Sequence, residues 1–355
     1  MKEEKILYGL IGFGGMGKWH TEILADVAEI KLAGIYDIEA EKREKAREAG
    51  FRIYESEEEI LGDASIDVIL IATPNDTHKP IAQRAMKAGK NVILEKPAVL
   101  SSEELEELEK TAEETGKFLT VHQNRRWDED FLMVRRILEE QTIGSAFRIE
   151  SRVHGSRGIP GDWRKEKAHG GGMVLDWGVH LLDQILCMVG NRKLETVYAS
   201  VTNVTNQEVD DGFTTILRFE GGLEVLAEVG TNNFISLPRW YVLGENGSAV
   251  IEDWSLKGRI VKTVGKDEKD VLPVKTAAGL TKTMAPRRED SIEVEELPQV
   301  SGDIADFHRN VAAVLQKGAE PAVKLPEVKR VMRLMETVFK SAAQDQVLDF
   351  ERGRE

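Results

Sequence analysis

The first 124 residues alternate short apolar runs with helical patterns, and this alternation limits the possible folds more than any other feature of the sequence. The run at 67–72 is too apolar for a half-exposed strand and suits a parallel strand buried on both faces. Strands that alternate with helices form a parallel sheet with helices on both sides. The sequence therefore predicts an α/β fold with strands at residues 6–11, 31–36, 67–72, 91–95 and 118–122.

A glycine-rich loop directly follows the first predicted strand and opens the first predicted helix. The motif G-x-G-x-x-G is weak alone, but dinucleotide-binding sheets carry it at this position. Gly12 would make the tight turn, Gly14 would admit a pyrophosphate, and Gly17 would let the helix pack closely. The phosphates would lie at the helix N-terminus. We predict that the loop binds a dinucleotide through Gly12, Phe13, Gly14, Gly15, Met16 and Gly17.

An acidic residue stands at the end of the second predicted strand, where such folds hold the adenosine ribose. Asp37 follows Gly17 by 20 residues. Its carboxylate would accept hydrogen bonds from the ribose and repel a 2′-phosphate, which favours NAD over NADP. Alternatively, Asp37 only caps the charged helix that begins near residue 39. The nearby Arg43 would soften the exclusion of NADP.

Two further motifs follow buried strands, at the sheet edge where ligands bind in open parallel sheets. One is Thr73-Pro-Asn-Asp-Thr-His78, and the other is Glu95-Lys96-Pro97. An ammonium group at the end of a buried strand needs a partner, because burying it unpaired is costly. Lys96 is therefore predicted to meet substrate, cofactor or a carboxylate. An exposed turn lysine is the plainer alternative.

A third motif lies in residues 162–183, where three consecutive glycines precede a helix. Asp176 and His180 are four residues apart, so on an α-helix they would share one face. A carboxylate beside a histidine orients the ring and raises its basicity, as a general base requires. A helix-surface salt bridge is the alternative. A metal site built on this pair lacks an evident third ligand.

The pattern changes after residue 145. Alternating segments at 147–154, 196–204, 213–219 and 223–229 predict antiparallel strands, and 242–251 reads as a hairpin that turns at Asn246-Gly247. Residues 265–300 are not assigned, and the segment 283–287 is either a loop that reaches a ligand or another subunit, or a plain surface loop. Two amphipathic helices are predicted near 303–316 and 327–343.

Taken together, the four motifs resemble the Gfo/Idh/MocA family, the glucose–fructose oxidoreductase and inositol dehydrogenase group. They occur in the family's order, and the resemblance covers nearly the whole chain. It implies an N-terminal Rossmann domain with a doubly wound parallel sheet, at residues 1–124. It also implies a C-terminal α/β domain with a large, mostly antiparallel open sheet, at 125–355. In the family this sheet often forms the subunit interface, so a homodimer or homotetramer is expected.

The resemblance also implies roles for individual residues. Lys96, Asp176 and His180 would be catalytic and would bind substrate: the lysine bonds to the reacting hydroxyl, the aspartate positions substrate and histidine, and the histidine removes the proton. Residues 125 and 126 are arginines that would bind substrate, or form an interdomain salt-bridge cluster with the acids at 128–130. Positions that border the cofactor in the family correspond to Thr73, Pro74, Asn75, His78, Glu95, Lys96, Trp163 and Arg164.

The resemblance implies an NAD(P)-dependent dehydrogenase that acts on the CH-OH group of a sugar, glycoside or inositol. Hydride would pass between that carbon and nicotinamide C4. Two alternatives remain open. One is a non-catalytic dinucleotide-sensing protein of the same fold, although such relatives often lack one of the three catalytic residues. The other is a reductase of the dihydrodiol or biliverdin type, which would suit a more aromatic pocket.

Composition limits the remaining possibilities. A formal net charge of −14 argues against nucleic acid as the main partner. No apolar run approaches the length that a membrane helix needs, so no membrane span is expected, and a signal peptide is not expected either. The one cysteine, Cys187, excludes an internal disulfide and a multi-cysteine zinc site. No metal is predicted, and a cytoplasmic location is expected.

Overall fold

The computed structural model describes residues 5–264 and 271–351, and it confirms the predicted α/β architecture. Its first sheet has five parallel strands in the order β2-β1-β3-β4-β5. These strands are β1 (Ile6–Ile11), β2 (Ile30–Tyr36), β3 (Val68–Ile71), β4 (Asn91–Leu94) and β5 (Leu119–Val121). Each predicted strand is present, with its ends within two residues of the predicted ones.

Helices cover both faces of this sheet. They are α1 (Gly15–Ala25), α2 (Ala40–Glu48), α3 (Glu57–Gly62), α4 (His78–Lys87) and α5 (Ser102–Thr115). An isolated parallel bridge joins Ile53 to Ile35 at the outer edge of β2. If this bridge is counted as a short strand, the strand order is the 3-2-1-4-5-6 order of dinucleotide-binding sheets. The order reverses between β1 and β3, so a crevice opens at that point.

The second sheet has nine strands among the described residues, in the order β15-β12-β11-β10-β6-β9-β8-β7-β16. Its central strands β6 and β9 run parallel, and the other neighbours are antiparallel. The strands are β6 (Ala146–His154), β7 (Leu194–Thr202), β8 (Gly212–Phe219), β9 (Glu224–Gly230), β10 (Trp240–Gly244), β11 (Gly247–Ile251), β12 (Gly258–Thr263), β15 (Ile292–Glu295) and β16 (Leu348–Asp349).

The sequence predicted that these strands are antiparallel. For β6 and β9 that prediction was wrong, because these two strands are parallel to each other. Alternation shows which residues face one side of a strand, but it does not show the direction of the neighbouring strand. The predicted hairpin at 242–251 is present as β10 and β11. Within the unassigned stretch 265–300, residues 265–270 lie outside the described residues. The remainder forms β15 and a small hairpin of β13 (Val274–Thr276) and β14 (Gly279–Thr281).

The segment 283–287 lies in irregular structure between β14 and β15, and its Met284 side chain is exposed. It follows the β13–β14 hairpin, which is a separate two-stranded sheet. Both readings of this segment stay predictions, because an exposed loop of one chain fits either of them.

Four more helices complete the described chain: α6 (Glu129–Glu139), α7 (Val179–Val189), α8 (Ala305–Lys317) and α9 (Leu325–Gln344). The last two return to the first domain. Thr120 at β5 donates a hydrogen bond to the Val323 carbonyl, and Ser102 of α5 is held by the Glu336 carboxylate of α9. The predicted boundary near residue 124 thus separates the two sheets, whereas the C-terminal helices pack on both.

One helical stretch in the described chain, Lys167–Val189, has the length and apolarity of a membrane-spanning helix. This stretch differs from the expectation that the sequence has no apolar run of that length. Of the most apolar 18 residues of this stretch, 72% are buried inside the fold, as in the core helix of a globular domain. Its residues Leu181, Leu182 and Ile185 are completely buried in the hydrophobic core.

Candidate active site

The glycine loop has the geometry that its spacing predicts. Gly12 has a φ of +97°, and a Cβ atom there would lie 2.5 Å from the Ala72 carbonyl oxygen. At Gly17 a Cβ atom would lie 2.0 Å from the Gly12 carbonyl oxygen, so α1 packs on the loop only without a side chain. Gly14 has no atom within 4 Å of its Cβ position. The loop is therefore closed on the protein side and open where a ligand would approach.

A cleft of about 620 Å³ opens at the carboxyl ends of the parallel strands. This volume lies within the usual range for small-molecule sites. Its walls come from both domains, because residues 162–164 and Asp176 face the loops that follow β1, β2, β3 and β4. The predicted residues that line it are Gly12, Gly14, Gly15, Met16, Asp37, Thr73, Pro74, Asn75, Glu95, Lys96, Trp163, Arg164 and Asp176.

Asp37 links the glycine loop to the second strand. Its Oδ2 accepts a hydrogen bond from the Phe13 backbone N–H at 2.7 Å, and its Oδ1 accepts one from the Glu39 N–H at 2.9 Å. The carboxylate thus caps the start of the following turn and also lines the cleft. A carboxylate has further acceptor sites, so these bonds leave capacity for a ribose hydroxyl.

Two cations stand beside Asp37. The Arg43 guanidinium donates to the main-chain oxygens of Asp37 and Ile38, at 2.7 and 3.1 Å. Lys42 lines the cleft, with its ammonium 2.5 Å from a Glu39 carboxylate oxygen. Sequence reasoning singled out Arg43 and missed Lys42, which looks like any other lysine of a charged surface helix.

The motif at 73–78 divides into two roles. Thr73, Pro74 and Asn75 line the cleft, and the Asn75 side-chain amide donates to the Gly170 carbonyl at 3.0 Å. His78 is completely buried, with its Nδ1 3.0 Å from the Pro97 carbonyl oxygen and its Nε2 3.0 Å from that of Thr73. The prediction that His78 borders the cofactor is corrected: it ties two site-forming loops together from behind.

Lys96 and Asp176 meet across the domain boundary. The Lys96 ammonium lies 3.1 Å from Asp176 Oδ1 and 3.0 Å from the Asp176 carbonyl oxygen. The Arg164 guanidinium lies 3.2 Å from Asp176 Oδ2. Burial opposes ionisation of Asp176, but Lys96 and Arg164 outweigh it and lower the pKa of the carboxyl. Lys96 therefore has the carboxylate partner that sequence reasoning required.

The prediction that Asp176 and His180 share one face assumed a continuous α-helix, which the structure does not have here. Residues Val174–Gly178 form a π-helical turn, so the i, i+4 spacing spans a change of helix type. Asp176 bonds to Lys96 and Arg164, and no hydrogen bond joins it to His180. The extra residue in a π-turn rotates the side chains that precede it, and such turns are frequent at functional sites.

His180 is buried at the start of α7, beside the Trp177 ring at 5.6 Å. Its Nδ1 has no hydrogen-bond partner. Burial, together with the positive charges of Lys96 and Arg125, holds the pKa of His180 well below its usual range. The imidazole is therefore neutral near pH 7, but its basicity is lowered and not raised as the predicted pairing with Asp176 would require.

The three glycines of the third motif pack against the protein itself. A Cβ atom at Gly171 would lie 2.3 Å from the Arg164 carbonyl oxygen, and one at Gly172 would lie 2.3 Å from Asp210 Oδ1. Asp210 in turn accepts the Val174 N–H at 2.7 Å, and burial raises the pKa of its carboxyl to about 6. Sequence reasoning missed Asp210, which holds the π-turn from a distant loop.

The two predicted substrate arginines differ. Arg125 forms an ion pair with Asp128 at 2.8 Å and stacks on Trp177, with 4.2 Å between its guanidinium carbon and the ring centroid. Arg126 is held by both oxygens of Asp183 and by Glu327. A substrate role for Arg126 is corrected in favour of the salt-bridge alternative, although its partners are not the acids at 128–130.

An aromatic wall near His180 also escaped prediction. Trp254 lies 6.0 Å from Trp177, and Arg125 lies between them at 5.3 Å from the Trp254 ring. The sequence carries no signal for this contact, because the fold brings Trp254 in from the loop after β11. Trp163 and Arg164 line the cleft, with the guanidinium 4.7 Å from the indole ring, whereas Trp177 and Trp254 are not among its lining residues.

Comparisons with known proteins identify the class. A profile described as an oxidoreductase family with an NAD-binding Rossmann fold matches residues 6–123, and the C-terminal domain profile of the same family matches residues 131–250. The chain therefore belongs to the GFO/IDH/MocA family of oxidoreductases.

Three proteins illustrate what the chain is similar to. A solved NAD-binding protein from Listeria innocua is 46% identical, with a TM-score of 0.95 over 98% of this chain and 100% of that one. The scyllo-inositol 2-dehydrogenase (NADP(+)) IolW of Bacillus subtilis is 26% identical over 99% of this chain and 97% of its own. A myo-inositol 2-dehydrogenase of Thermotoga maritima is 28% identical over 60% of this chain and 65% of its own.

Proposed function

We propose that the protein is an NAD(P)-dependent dehydrogenase that acts on a secondary alcohol, or the matching ketone, of an inositol, sugar or glycoside. The observation that carries the proposal is the Lys96–Asp176 pair, which lines a dinucleotide-type cleft. His180 lies outside that lining, where burial lowers its pKa, but it is near enough for the charge of Lys96 to lower that pKa further. A cation and a neutral base at one place can hold a hydroxyl group and accept its proton. The inositol dehydrogenase relatives support the substrate class.

The residues present fit a bound dinucleotide. The open face of Gly14 and Gly15 would receive the pyrophosphate, and the Asp37 carboxylate would meet the adenosine ribose. When bound, the nicotinamide supplies the hydride acceptor or donor at C4. Trp163 and Arg164 would close over the cofactor from the second domain.

The chain's own groups handle the substrate hydroxyl. The Lys96 ammonium, which donates to Asp176 in this structure, would donate to the reacting oxygen as well and favour loss of its proton. His180 would accept that proton, since its imidazole is neutral. Asp176, held by Lys96 and Arg164, would fix the lysine and offer an acceptor to a second hydroxyl of a polyol.

Asp37 supports NAD as the preferred cofactor, because its carboxylate would repel a 2′-phosphate. Lys42 and Arg43 stand at the same end of the cleft and would reduce that preference. The NADP(+) named for the Bacillus subtilis relative makes a test with both cofactors necessary.

The experiment is a turnover assay of the purified chain with NAD and NADP against myo-inositol, scyllo-inositol, free hexoses, glycosides and an aromatic trans-dihydrodiol. We expect reduction of the cofactor with at least one polyol. Turnover with the aromatic diol alone would favour the dihydrodiol alternative, for which the Trp177–Trp254 wall is the supporting observation. NADH binding without turnover of any alcohol or of its ketone would favour a dinucleotide-sensing protein.

A further inference from the structure

Beneath the cleft lies a cluster of three buried histidines that the proposed reaction does not use. His20 comes from α1, His122 directly follows β5, and His308 comes from α8. All three side chains are completely buried. One nitrogen of each ring lies within 4.8 Å of a nitrogen of each of the other two. Sequence reasoning found no metal site, because these residues come from distant parts of the chain.

The Glu95 carboxylate fixes the hydrogens on two of the rings. Its Oε1 lies 2.7 Å from His20 Nε2 and 2.7 Å from His122 Nδ1. Both ring nitrogens contact the same carboxylate oxygen, which is the acceptor of both hydrogen bonds. An ionised carboxylate only accepts hydrogen bonds, so these two ring nitrogens carry the hydrogens.

The other ring nitrogen of His20 and of His122 then carries a lone pair and no hydrogen, and it has no partner. His20 Nδ1 and His122 Nε2 are buried and make no hydrogen bond, and neither nitrogen of His308 makes one. Buried polar atoms are nearly always satisfied, so these atoms require an occupant.

We propose that His20, His122 and His308 bind a divalent transition-metal ion of the zinc class at this buried position. Neutral imidazoles are the ligands that such ions prefer. The Glu95 carboxylate behind two of the rings is the outer partner that metal-binding histidines usually have, and its charge would offset part of the ion's.

The ring positions agree with this assignment. Zn–N bonds of about 2.1 Å in a tetrahedral site place the ring centroids about 5.2 Å apart. The observed centroid separations are 4.6, 5.5 and 5.6 Å. The fourth position would go to a water molecule or to the Tyr8 hydroxyl, which also has no partner and whose ring lies 5.8 Å from that of His308.

Such an ion would join three parts of the fold. It would tie α1, which carries the glycine loop, to the C-terminal helix α8 and to the end of β5. Through Glu95 it would also fix the residue next to Lys96. Because the site is enclosed, the ion would enter during folding and contribute to the stability of the folded chain.

The test uses the full-length chain without an affinity tag. The protein is unfolded with a chelator, refolded with or without Zn²⁺, dialysed, and analysed for metal by mass spectrometry. We expect about one ion per refolded chain, at least a tenfold lower content in His308→Leu, and an unchanged content in His154→Gln. His154 is the matched control, because its side chain is also buried but pairs with Glu228 outside the cluster.

Two results would overturn the proposal: a wild-type chain that takes up no ion on refolding, or equal metal content in wild type and His308→Leu. In either case water would be the occupant of the cluster. If His308→Leu does not fold, the wild-type chain is refolded with Co²⁺, and its absorption spectrum tests the proposal instead. Intense visible absorption bands of tetrahedral cobalt support the site, and their absence contradicts it. Neither readout depends on dehydrogenase activity.

Discussion

The Asp37 carboxylate accepts hydrogen bonds from two backbone N–H groups and also lines the cleft. A substitution there should therefore affect both stability and cofactor binding. We expect Asp37→Ala to weaken NADH binding more than NADPH binding, because the lost charge had repelled only the 2′-phosphate. Stability should also fall by about 1–3 kcal/mol, since the buried Phe13 N–H loses its acceptor. Fluorescence titration with both cofactors and denaturant unfolding measure the two effects.

The exposed Asp26 at the end of α1 provides a control, and Asp26→Ala should change neither quantity. Asp37→Asn keeps an oxygen acceptor and should retain more stability than the alanine variant. Equal loss of affinity for NADH and NADPH in Asp37→Ala would remove the ribose role and leave only the cap.

His180 should set the acid limb of the pH profile. Its pKa in the folded protein lies below the ordinary value of 6.5, so the neutral base persists as pH falls through that value. We expect kcat/KM for alcohol oxidation to decline only below pH 6.5, and His180→Ala to lose that limb together with most of the rate. The measurement is a pH series with both proteins; the same acid limb in the variant would assign the proton to another group.

Residue types and strand ends in the sequence predicted much of the site, but the sequence did not predict which way each side chain points. Lys96, Asp176 and the glycine loop meet at the cleft as motif order implies. His78 and Glu95 stand in the same motifs, yet the His78 ring and the Glu95 carboxylate bond to the protein interior. Alternation cannot distinguish these cases, because neighbouring residues in an irregular loop turn to either side.

At the scale of elements, α1 packs closely against the glycine loop only because residue 17 is a glycine. Gly17→Ala would place a methyl group 2.0 Å from the Gly12 carbonyl oxygen. We expect a loss of about 1–3 kcal/mol in unfolding free energy, and a displaced loop that binds NADH poorly. Denaturant unfolding and NADH titration check both.

Gly62→Ala is the matched control. Gly62 is also helical, at the end of α3, and a Cβ atom there would meet nothing within 4 Å. This variant should be neutral or slightly stabilised, because alanine favours helix. A Gly17→Ala protein with wild-type stability and affinity would show that the loop adjusts freely, contrary to the packing described.

The five strands of the first domain and all its helices except α3 were predictable, because each carries its own period and end signals. The π-turn at Val174–Gly178 was not, since its residues fit an α-helical period equally well. It depends on Asp210, which accepts the Val174 N–H from a distant loop. Tertiary contacts of this kind decide local structure without leaving a local sequence pattern.

At the scale of the whole molecule, the nine-stranded sheet has one face that no helix of the described chain covers fully. Tyr198, Ile216 and Leu226 are paired across β7, β8 and β9 on that face and remain partly exposed. The intervening Val197, Leu217 and Val225 are completely buried on the other face. This row of three apolar residues ends beside Glu150 on β6, and a partly exposed apolar patch of this kind is typical of a partner surface.

We therefore expect a homodimer or homotetramer through this face. Light scattering should give a mass that is a multiple of 39.7 kDa. The double variant Ile216→Glu with Leu226→Glu should shift the mass to that of one chain, because buried like charges would oppose association. A wild-type protein that is monomeric at assay concentration would contradict this expectation.

The most direct test of the central claim compares Lys96→Met with wild type in turnover and in NADH binding. If Lys96 acts on the reacting hydroxyl, turnover should fall by about 10²–10⁴-fold, while NADH affinity and stability stay close to wild type. Lys79→Met, which removes a surface ion pair with Glu107, is the control and should retain full turnover. Wild-type turnover in Lys96→Met would contradict the account.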